Sequence, residues 1–343
     1  MGWFRRGFCM QIKNELTQLL GIEFPMIMAP MFLVSNQAMM EAGMEIGIAA
    51  AFPSLNYREE AELEGVLKAL NKKKDGAAGS YGVNLIVQKS NPLYSKHLAT
   101  CIEHQVPFFI TSLGNPKEVI EKAHAYGGKV ICDVTNIGHA RKAASLGCDA
   151  FIAVGQGAGG HAGPYPLQIL VPSLRKEFPD IPVIAAGGIS SGQGFLSVLS
   201  AGACGASIGT RFIACQEASV SDAYKEAIVD SKMDDIVMTT RLSGTPCSII
   251  NTPYAKKIGT KQNWLERMLS KNSTTKKYFK MLIQINGMKK LEKAVKPGNY
   301  KSLWCAGQSV ELIDSIESCE QIIEKLKEEV RQSFKDLAGK FVT

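Results

Sequence analysis

Residues 181–211 read IPVIAAGGISSGQGFLSVLSAGACGASIGTR, and this stretch decides the fold. Two short apolar runs, at 181–186 and 205–209, stand on either side of a helical pattern at 191–201. Each run is too short for a helix and too continuously apolar for a half-exposed strand, which is typical of a strand buried on both faces. The stretch therefore predicts a strand–helix–strand unit of a parallel sheet.

The same unit recurs along the preceding part of the chain. Further apolar runs of this kind occur at 25–29, 46–51, 82–86, 107–111, 129–133 and 149–154. Helical patterns lie between the runs, at 36–43, 57–73, 93–104, 116–126, 137–147 and 166–177. An open doubly wound sheet rarely needs so many equal units in a row, so this α/β pattern predicts a TIM (β/α)8 barrel.

The alternation of strand and helix patterns ends after the last of these strands. Strand signals stop between 219 and 299, where Lys-rich helical patterns take over. A final helical pattern, at about 316–338, carries an apolar stripe at positions 322, 323, 326, 330, 334 and 337. We therefore predict a barrel at 1–218, a small helical subdomain inserted at 219–299, and a C-terminal segment at 300–343 whose helix closes the barrel.

The composition is that of a globular protein. Among 343 residues, 45% are hydrophobic and 21% charged, which excludes a disordered or fibrous chain. The nine cysteines are scattered, without a CxxC pair or zinc-ligand spacing, which predicts reduced thiols, a cytoplasmic location and no metal site. No apolar run is long enough to cross a membrane. The net charge of +7 favours an anionic small molecule over nucleic acid, because no basic stripe is interleaved with aromatic residues.

Two glycine-containing loops indicate a phosphate site. Gly187 and Gly188 follow the run at 181–186, and Gly209 and Thr210 end the run at 205–209. Glycines let a phosphate approach the backbone closely, and N–H groups at a helix N-terminus hold its charge. In a TIM barrel the usual phosphate site is built from the loops after strands seven and eight. The alternative is that these glycines only form tight turns.

A third loop is unusually rich in glycine. It follows the run at 149–154 and reads GQGAGGHAGP at 155–164. Gly159 and Gly160 have no side chains, so a planar ligand can lie against their backbone. His161 is the titratable group in this loop. A neutral imidazole suits general-base catalysis near pH 7. The alternative is a structural histidine, although glycine-rich loops do not build cores.

Residues at the ends of earlier strands can complete such a site. Ala29, Pro30 and Met31 follow the first run, and Asn84 lies within the third. The apolar groups could face a flat ring, and the Asn amide could meet its polar edge. Turn chemistry is an equal alternative for each of them. The segment WCAGQ at 304–308 is either packing or a loop that covers the mouth of the site.

These segments resemble a known family nearly from end to end. The matching pieces are GIEFPMIMAPM, GVNLI, AGGHAG, VIAAGGI, GTRF and WCAGQS. Together they resemble the nitronate monooxygenases, formerly 2-nitropropane dioxygenases, and the similar flavin-dependent enoyl-ACP reductases and flavin NADH:quinone reductases. The resemblance implies an FMN-binding TIM barrel with His161 as the catalytic residue. It places the FMN phosphate at Gly187, Gly188, Gly209 and Thr210, and the isoalloxazine near Ala29, Pro30, Met31, Asn84 and Gly160.

Two positions depart from the family pattern. The family usually carries Glu two residues before the Gly-Gly-His, where this chain has Gly157. The end of the fifth strand often carries a Lys or Gln-like donor near the flavin, where this chain has Asp133. A carboxylate there opposes an anionic reduced flavin, so we expect either that Asp133 points elsewhere or that the flavin is tuned differently.

The resemblance implies oxidation of alkyl nitronates, and also of nitroalkanes, by O2 to carbonyl compounds and nitrite. Two alternatives stay open. The first is an NAD(P)H-dependent FMN reductase acting on enoyl thioesters or quinones, since this superfamily binds nicotinamide without a dinucleotide fingerprint. The second is a flavin-binding barrel without catalysis. We expect the partners to be a small-molecule substrate and O2, without nucleic acid or membrane, and we allow for a homodimer.

Overall fold

The computed structural model describes residues 12–88, 91–240, 245–260 and 303–341. Its strands, in chain order, are β1 Met26–Met28, β2 Ala49–Pro53, β3 Ser80–Ile86, β4 Phe108–Ser112, β5 Lys129–Val134, β6 Ala150–Val154, β7 Gly160–His161, β8 Val183–Ala186, β9 Gly205–Ile208, β10 Ile236–Thr239 and β11 Cys247–Ile250. The helices are α1 Glu15–Leu20, α2 Gln37–Glu45, α3 Glu60–Lys74, α4 Tyr94–Glu103, α5 Lys117–His124, α6 Ile137–Ala144, α7 Leu167–Glu177, α8 Gly192–Ser200, α9 Thr210–Ile213, α10 Asp222–Asp230, α11 Pro253–Ile258 and α12 Cys319–Ala338.

Eight of the strands form a closed parallel barrel in the order β1-β2-β3-β4-β5-β6-β8-β9. The barrel closes where β9 pairs with β1, with Ile27 opposite Ser207. Helices α2 to α8 alternate with these strands and cover the outside. The predicted TIM barrel is therefore confirmed, and the ends of each barrel strand lie within three residues of those expected from the apolar runs.

The barrel interior is filled by apolar side chains from alternate strand positions, among them Ile27, Ile110 and Ile184. Helix α1 covers the end of the barrel where the strands begin, and its Leu16 and Leu20 join this inner cluster. The Asn14 side chain caps α1 and also donates from Nδ2 to the Cys204 carbonyl at 2.6 Å. The N-terminal end of the barrel is thus plugged, which leaves the C-terminal ends of the strands for a site.

A second, smaller sheet corrects the sequence-based expectation for the inserted segment. We expected strand signals to stop at 219, but β10 and β11 pair antiparallel, and β11 also pairs with β7. Each of these strands has at most four residues, too few to show a strand period in the sequence. Residues 261–299 lie outside the described residues, so the helical prediction for them, and the boundaries at 219 and 299, stay predictions.

Helix α12 returns to the barrel and packs against α8 and α2. Ser318 caps its N-terminus, and the apolar stripe predicted for it is buried at Ile322, Ile323, Leu326 and Val330. The prediction was wrong for the last two stripe positions, because 334 and 337 extend past the neighbouring helices into solvent. Within the described residues, the structure has no helix both long and apolar enough to span a membrane.

Candidate functional site

A cavity of about 830 Å³ opens at the C-terminal end of the barrel. Loops that follow most of the barrel strands line it, together with β7, β11 and the segment that precedes α12. Every site residue expected from the sequence contributes to its lining, namely Ala29, Pro30, Met31, Asn84, Asp133, Gly159, Gly160, His161, Gly187, Gly188, Gly209 and Thr210. The structure therefore brings together residues that lie up to 181 positions apart in the chain.

The loop after β8 has space only for glycine. Gly187 and Gly188 have φ angles of 114° and 75°, which side chains rarely adopt. A Cβ on Gly187 would lie 2.6 Å from the backbone nitrogen of Ala158. Helix α8 begins shortly afterwards, with Ser191 as its N-cap. This loop therefore presents bare backbone to the cavity, an arrangement that suits a phosphate.

The glycine-rich loop after β6 packs directly against the segment before α12. A Cβ on Gly159 would lie 2.8 Å from the backbone nitrogen of Gly307 and 3.0 Å from Thr210 Oγ1. The Gly307 N–H donates to Thr210 Oγ1 at 3.1 Å. Thr210 thereby ties the loop after β9 to the chain that leads into α12. In the segment at 304–308 the packing alternative holds for Ala306, which is buried in the core, and for Trp304, whose ring stacks on Tyr224, while Cys305 lines the cavity.

The missing glutamate at Gly157 has a steric explanation. A Cβ at this position would lie 3.0 Å from both the nitrogen and the Cα of Gly188. A glutamate here would press on the loop after β8 unless that loop moved. Gly157 therefore allows the two glycine loops to approach each other more closely than a side chain would permit.

Three polar side chains form a hydrogen-bonded chain across the ends of β3, β4 and β5. Asn84 Nδ2 donates to the Ile110 carbonyl at 3.1 Å and to Ser112 Oγ at 2.8 Å. Ser112 Oγ in turn donates to Asp133 Oδ2 at 2.5 Å. Because both amide hydrogens of Asn84 are engaged, its side-chain oxygen is the group that it can offer to a ligand.

Asp133 faces the cavity and does not point elsewhere, which answers the question that the sequence left open. Burial raises the pKa of its carboxyl to about 6, and the Ser112 hydrogen bond only partly offsets this rise. The carboxyl is therefore protonated much more readily than an ordinary aspartate. The carboxyl still carries its negative charge for most of the time at pH 7, and the protonated form prevails only below about pH 6.

His161 lies on β7, opposite Cys247 of β11. Its side chain is accessible from the cavity, yet the surrounding protein displaces enough water to lower the pKa of the imidazole. The neutral form, which has one basic nitrogen, therefore prevails at pH 7. The short sheet holds the glycine-rich loop in an extended conformation, so the histidine has a defined position on the wall.

Two groups of lining residues were missed in the sequence. One comes from the inserted segment and its return: Tyr224, Thr245, Pro246, Cys247, Leu303 and Cys305. Its only sequence signal was the segment at 304–308. The other is a basic edge formed by His139 and Lys142. Both side chains lie on α6, which follows β5, and that position at a strand's C-terminal end was the available signal.

Sequence comparisons match nearly the whole chain to known proteins. The model of a family described as nitronate monooxygenase matches residues 45–329. A 5-hydroxy-7a-methyl-1-oxo-octahydro-1H-indene-4-carboxyl-CoA dehydrogenase of Mycobacterium tuberculosis is 26% identical, with 92% of this chain and 96% of that protein covered. A probable nitronate monooxygenase of Staphylococcus aureus is 28% identical, with 72% of this chain and 80% of that protein covered.

Solved structures show the same architecture. FabK from Thermotoga maritima superposes with a TM-score of 0.82 at 31% identity, and the match covers 96% of this chain and all of that chain. The nitroalkane oxidase of Streptomyces ansochromogenes superposes with a TM-score of 0.78 at 24% identity, over 94% of this chain. The second likeness supports the fold alone.

Proposed function

Because this chain belongs to the nitronate monooxygenase family, whose members are flavin-dependent oxidoreductases, we propose that it uses FMN to oxidise alkyl nitronates, and nitroalkanes once they are deprotonated, with O2. The products would be a carbonyl compound and nitrite. One observation carries the proposal: a neutral, solvent-accessible imidazole lies on the wall of the same cavity as the glycine loops. That cavity combines a base with a place for a phosphorylated planar cofactor.

The residues present fit FMN. Gly187 and Gly188 line the cavity with backbone alone, and with Gly209 and Thr210 they would hold the phosphate. The ring would lie among the remaining predicted residues, namely Ala29, Pro30, Met31, Asn84, Asp133, Gly159 and Gly160. When bound, FMN supplies the redox chemistry by accepting electrons from the substrate.

The side chains supply positioning and proton handling. The basic nitrogen of neutral His161 can take the α-proton of a nitroalkane, and a protonated His161 can donate a hydrogen bond to a nitro oxygen. The raised pKa of Asp133 lets its carboxyl take up a proton more readily than an ordinary aspartate, which would limit its opposition to negative charge gained by a bound flavin. Ser112 holds the Asp133 carboxyl in place from the neighbouring strand.

Replacing His161 tests its role. We expect His161→Ala to lower kcat for nitroalkanes by roughly 10²–10⁴-fold, the usual contribution of a general base, while FMN stays bound. His124→Ala is the matched control, because that histidine pairs with Asp149 on the outer surface. Steady-state kinetics with O2 uptake and a visible spectrum give both readouts. Full activity in the His161 variant would remove it from the mechanism.

The FMN proposal has a simpler test of its own. The purified protein should show flavin absorbance, or gain it when FMN is added to the colourless protein. A colourless protein that does not take up FMN would overturn the cofactor proposal and everything built on it.

A second function is favoured by the apolar lining of the cavity. Phe32, Leu55 and Val87 line a cavity of about 830 Å³, and apolar side chains of this kind suit an acyl chain better than a small anionic nitronate. The likeness to FabK and to a CoA-thioester dehydrogenase suits a larger acyl substrate reduced with NAD(P)H. Anaerobic mixing separates the two functions. Rapid bleaching of the flavin by NADH favours the reductase, and bleaching by nitronate alone favours the monooxygenase.

A further inference from the structure

Two cysteine thiols meet on the cavity wall beside His161. Cys247 Sγ and Cys305 Sγ lie 3.9 Å apart, although 58 residues separate them in the chain. Both residues line the cavity, and Cys247 is the cross-strand partner of His161. The proposed oxidation of nitronates uses neither thiol.

Backbone contacts hold the two cysteines close together. Cys247 lies on β11, and Cys305 belongs to a segment that forms an antiparallel bridge with β11 at Ile249. The Ile250 N–H donates to the Trp304 carbonyl at 2.8 Å, and Tyr224 Oη donates to the Cys305 carbonyl at 2.6 Å. A disulfide has an S–S length of about 2.0 Å, so the sulfur atoms need to approach by roughly 1.9 Å. Side-chain rotation can supply much of that distance.

The two thiols differ in their access to a reagent. Cys305 is half-buried, whereas the other cysteines in the described part of the chain are buried. Cys247 is only 2% exposed, and its contact with Cys305 together with burial raises its thiol pKa well above the ordinary range. Of these two thiols, Cys305 is therefore the one that a small molecule in the cavity meets first.

We propose that Cys247 and Cys305 are a peroxide-sensitive dithiol that closes into a disulfide across the cavity wall. In the first step the Cys305 sulfur attacks one oxygen of hydrogen peroxide, the O–O bond breaks, and a sulfenic acid and one water form. In the second step the Cys247 sulfur attacks the sulfenic sulfur, the S–O bond breaks, and a second water leaves. Two thiols are oxidised by two electrons, and one peroxide is reduced to two waters.

Closure of this bond would change the site because of where β11 lies. The disulfide would tie β11 to the segment that packs on Gly159 and Thr210, on the same wall that carries His161. We expect the linked form to turn over substrate more slowly, and dithiothreitol to restore the rate. This consequence for turnover rests on the proposed function, whereas formation of the disulfide does not.

Peptide mapping tests the chemistry directly. The purified protein is treated with a small molar excess of hydrogen peroxide, free thiols are blocked with N-ethylmaleimide, and the digest is analysed by mass spectrometry. We expect one linked peptide that joins Cys247 to Cys305 and disappears on treatment with dithiothreitol. In Cys247→Ser the link should be lost, and Cys305 should accumulate as its sulfenic acid or more oxidised forms.

A second close pair in the same molecule serves as the internal control. The sulfur atoms of Cys215 and Cys319 lie within 4.8 Å of each other, but both residues are fully buried. Because neither Cys215 nor Cys319 lines the cavity, we expect this pair to stay reduced while Cys247 and Cys305 form their disulfide. We also expect Cys319→Ser to leave the disulfide between Cys247 and Cys305 unchanged. Equal linking of both pairs would overturn the proposal, as would recovery of Cys247 and Cys305 as separately blocked thiols. An unchanged rate in fully linked, active protein would overturn the effect on turnover.

Discussion

Asp133 shows how the neighbours of one residue change its chemistry. Its position at the end of β5 was readable from the sequence, but its ionisation was not. Burial raises its pKa from 3.8 to about 6, and it accepts a hydrogen bond from Ser112. The residue that the sequence placed against an anionic flavin therefore takes up a proton about two pH units above an ordinary aspartate.

This shift predicts how stability depends on pH. A carboxyl with a raised pKa in the folded state holds its proton more tightly than in the unfolded chain, so its contribution to stability falls as pH rises from about 4 to about 6. Asp133→Asn replaces the carboxyl with an amide that does not ionise, so this fall in stability with rising pH is absent from the variant. We expect the variant to gain up to about 3 kcal/mol relative to wild type between those pH values. Urea unfolding across that pH range measures it.

Asp314→Asn is the control with the opposite sign. Ser315 and Lys325 lower the pKa of Asp314, so this carboxylate adds stability that is lost as pH falls. The free energy of unfolding of the control variant should therefore fall relative to that of wild type as pH rises. A difference between Asp133→Asn and wild type that stays constant across the pH range would contradict the raised pKa.

Gly187 lets us test the phosphate loop apart from backbone strain. Gly187→Ala places a Cβ 2.6 Å from the Ala158 nitrogen, at a φ of 114°. Gly127→Ala is the control, because its φ is 89° and nothing lies within 4 Å of the added Cβ. Both changes strain the backbone by roughly 1–2 kcal/mol. Only Gly187→Ala should weaken FMN binding, by at least about tenfold, in a fluorescence titration. Equal FMN affinities in the two variants would refute the predicted phosphate loop.

The contact between α8 and α12 decides how the last helix closes the barrel. A Cβ on Gly192 would lie 2.4 Å from the backbone of Glu329 and Val330, and the Gly192 N–H donates to Glu329 Oε2 at 2.7 Å. Glycine at this position lets the two helices touch through their backbones. The sequence showed the apolar stripe of α12 but not the helix that it would meet.

Gly192→Ala should therefore destabilise the protein by roughly 1–3 kcal/mol, because the two helices must move apart. Gly65→Ala on α3 is the matched change, since nothing lies within 4 Å of its added Cβ. In that helix alanine is favoured over glycine by roughly 0.5–1 kcal/mol. Thermal unfolding of both variants should show opposite shifts. A neutral result for Gly192→Ala would mean that the interface adapts without loss.

The elements differed in how far the sequence could predict them. The barrel strands were predictable because burial on both faces leaves a continuous apolar run, as in β4 and β6. Strands β7, β10 and β11 were not, because they have two to four residues and depend on one another for pairing. Gly160 and His161 become a strand only when β11 lies beside them, which no local pattern could indicate.

The site was predictable at the scale of the whole molecule through one rule. The C-terminal ends of barrel strands meet at one face, so glycine, asparagine and histidine residues that follow different strands converge there. The insertion is not subject to that rule, and so Cys247, Tyr224 and Leu303 went unnoticed. The homodimer, the cytoplasmic location and the use of O2 stay predictions.

The walls of the cavity come from two parts of the chain, the barrel and the small sheet. The loops after β8 and β9 belong to the barrel, whereas the wall that presents His161 is held by a strand of the inserted segment. Sequence changes in that segment can therefore reshape the wall around Gly160 and His161 without touching the loops after β8 and β9. Substitutions in β11 thus act on the histidine side of the cavity and leave the proposed phosphate side as it is.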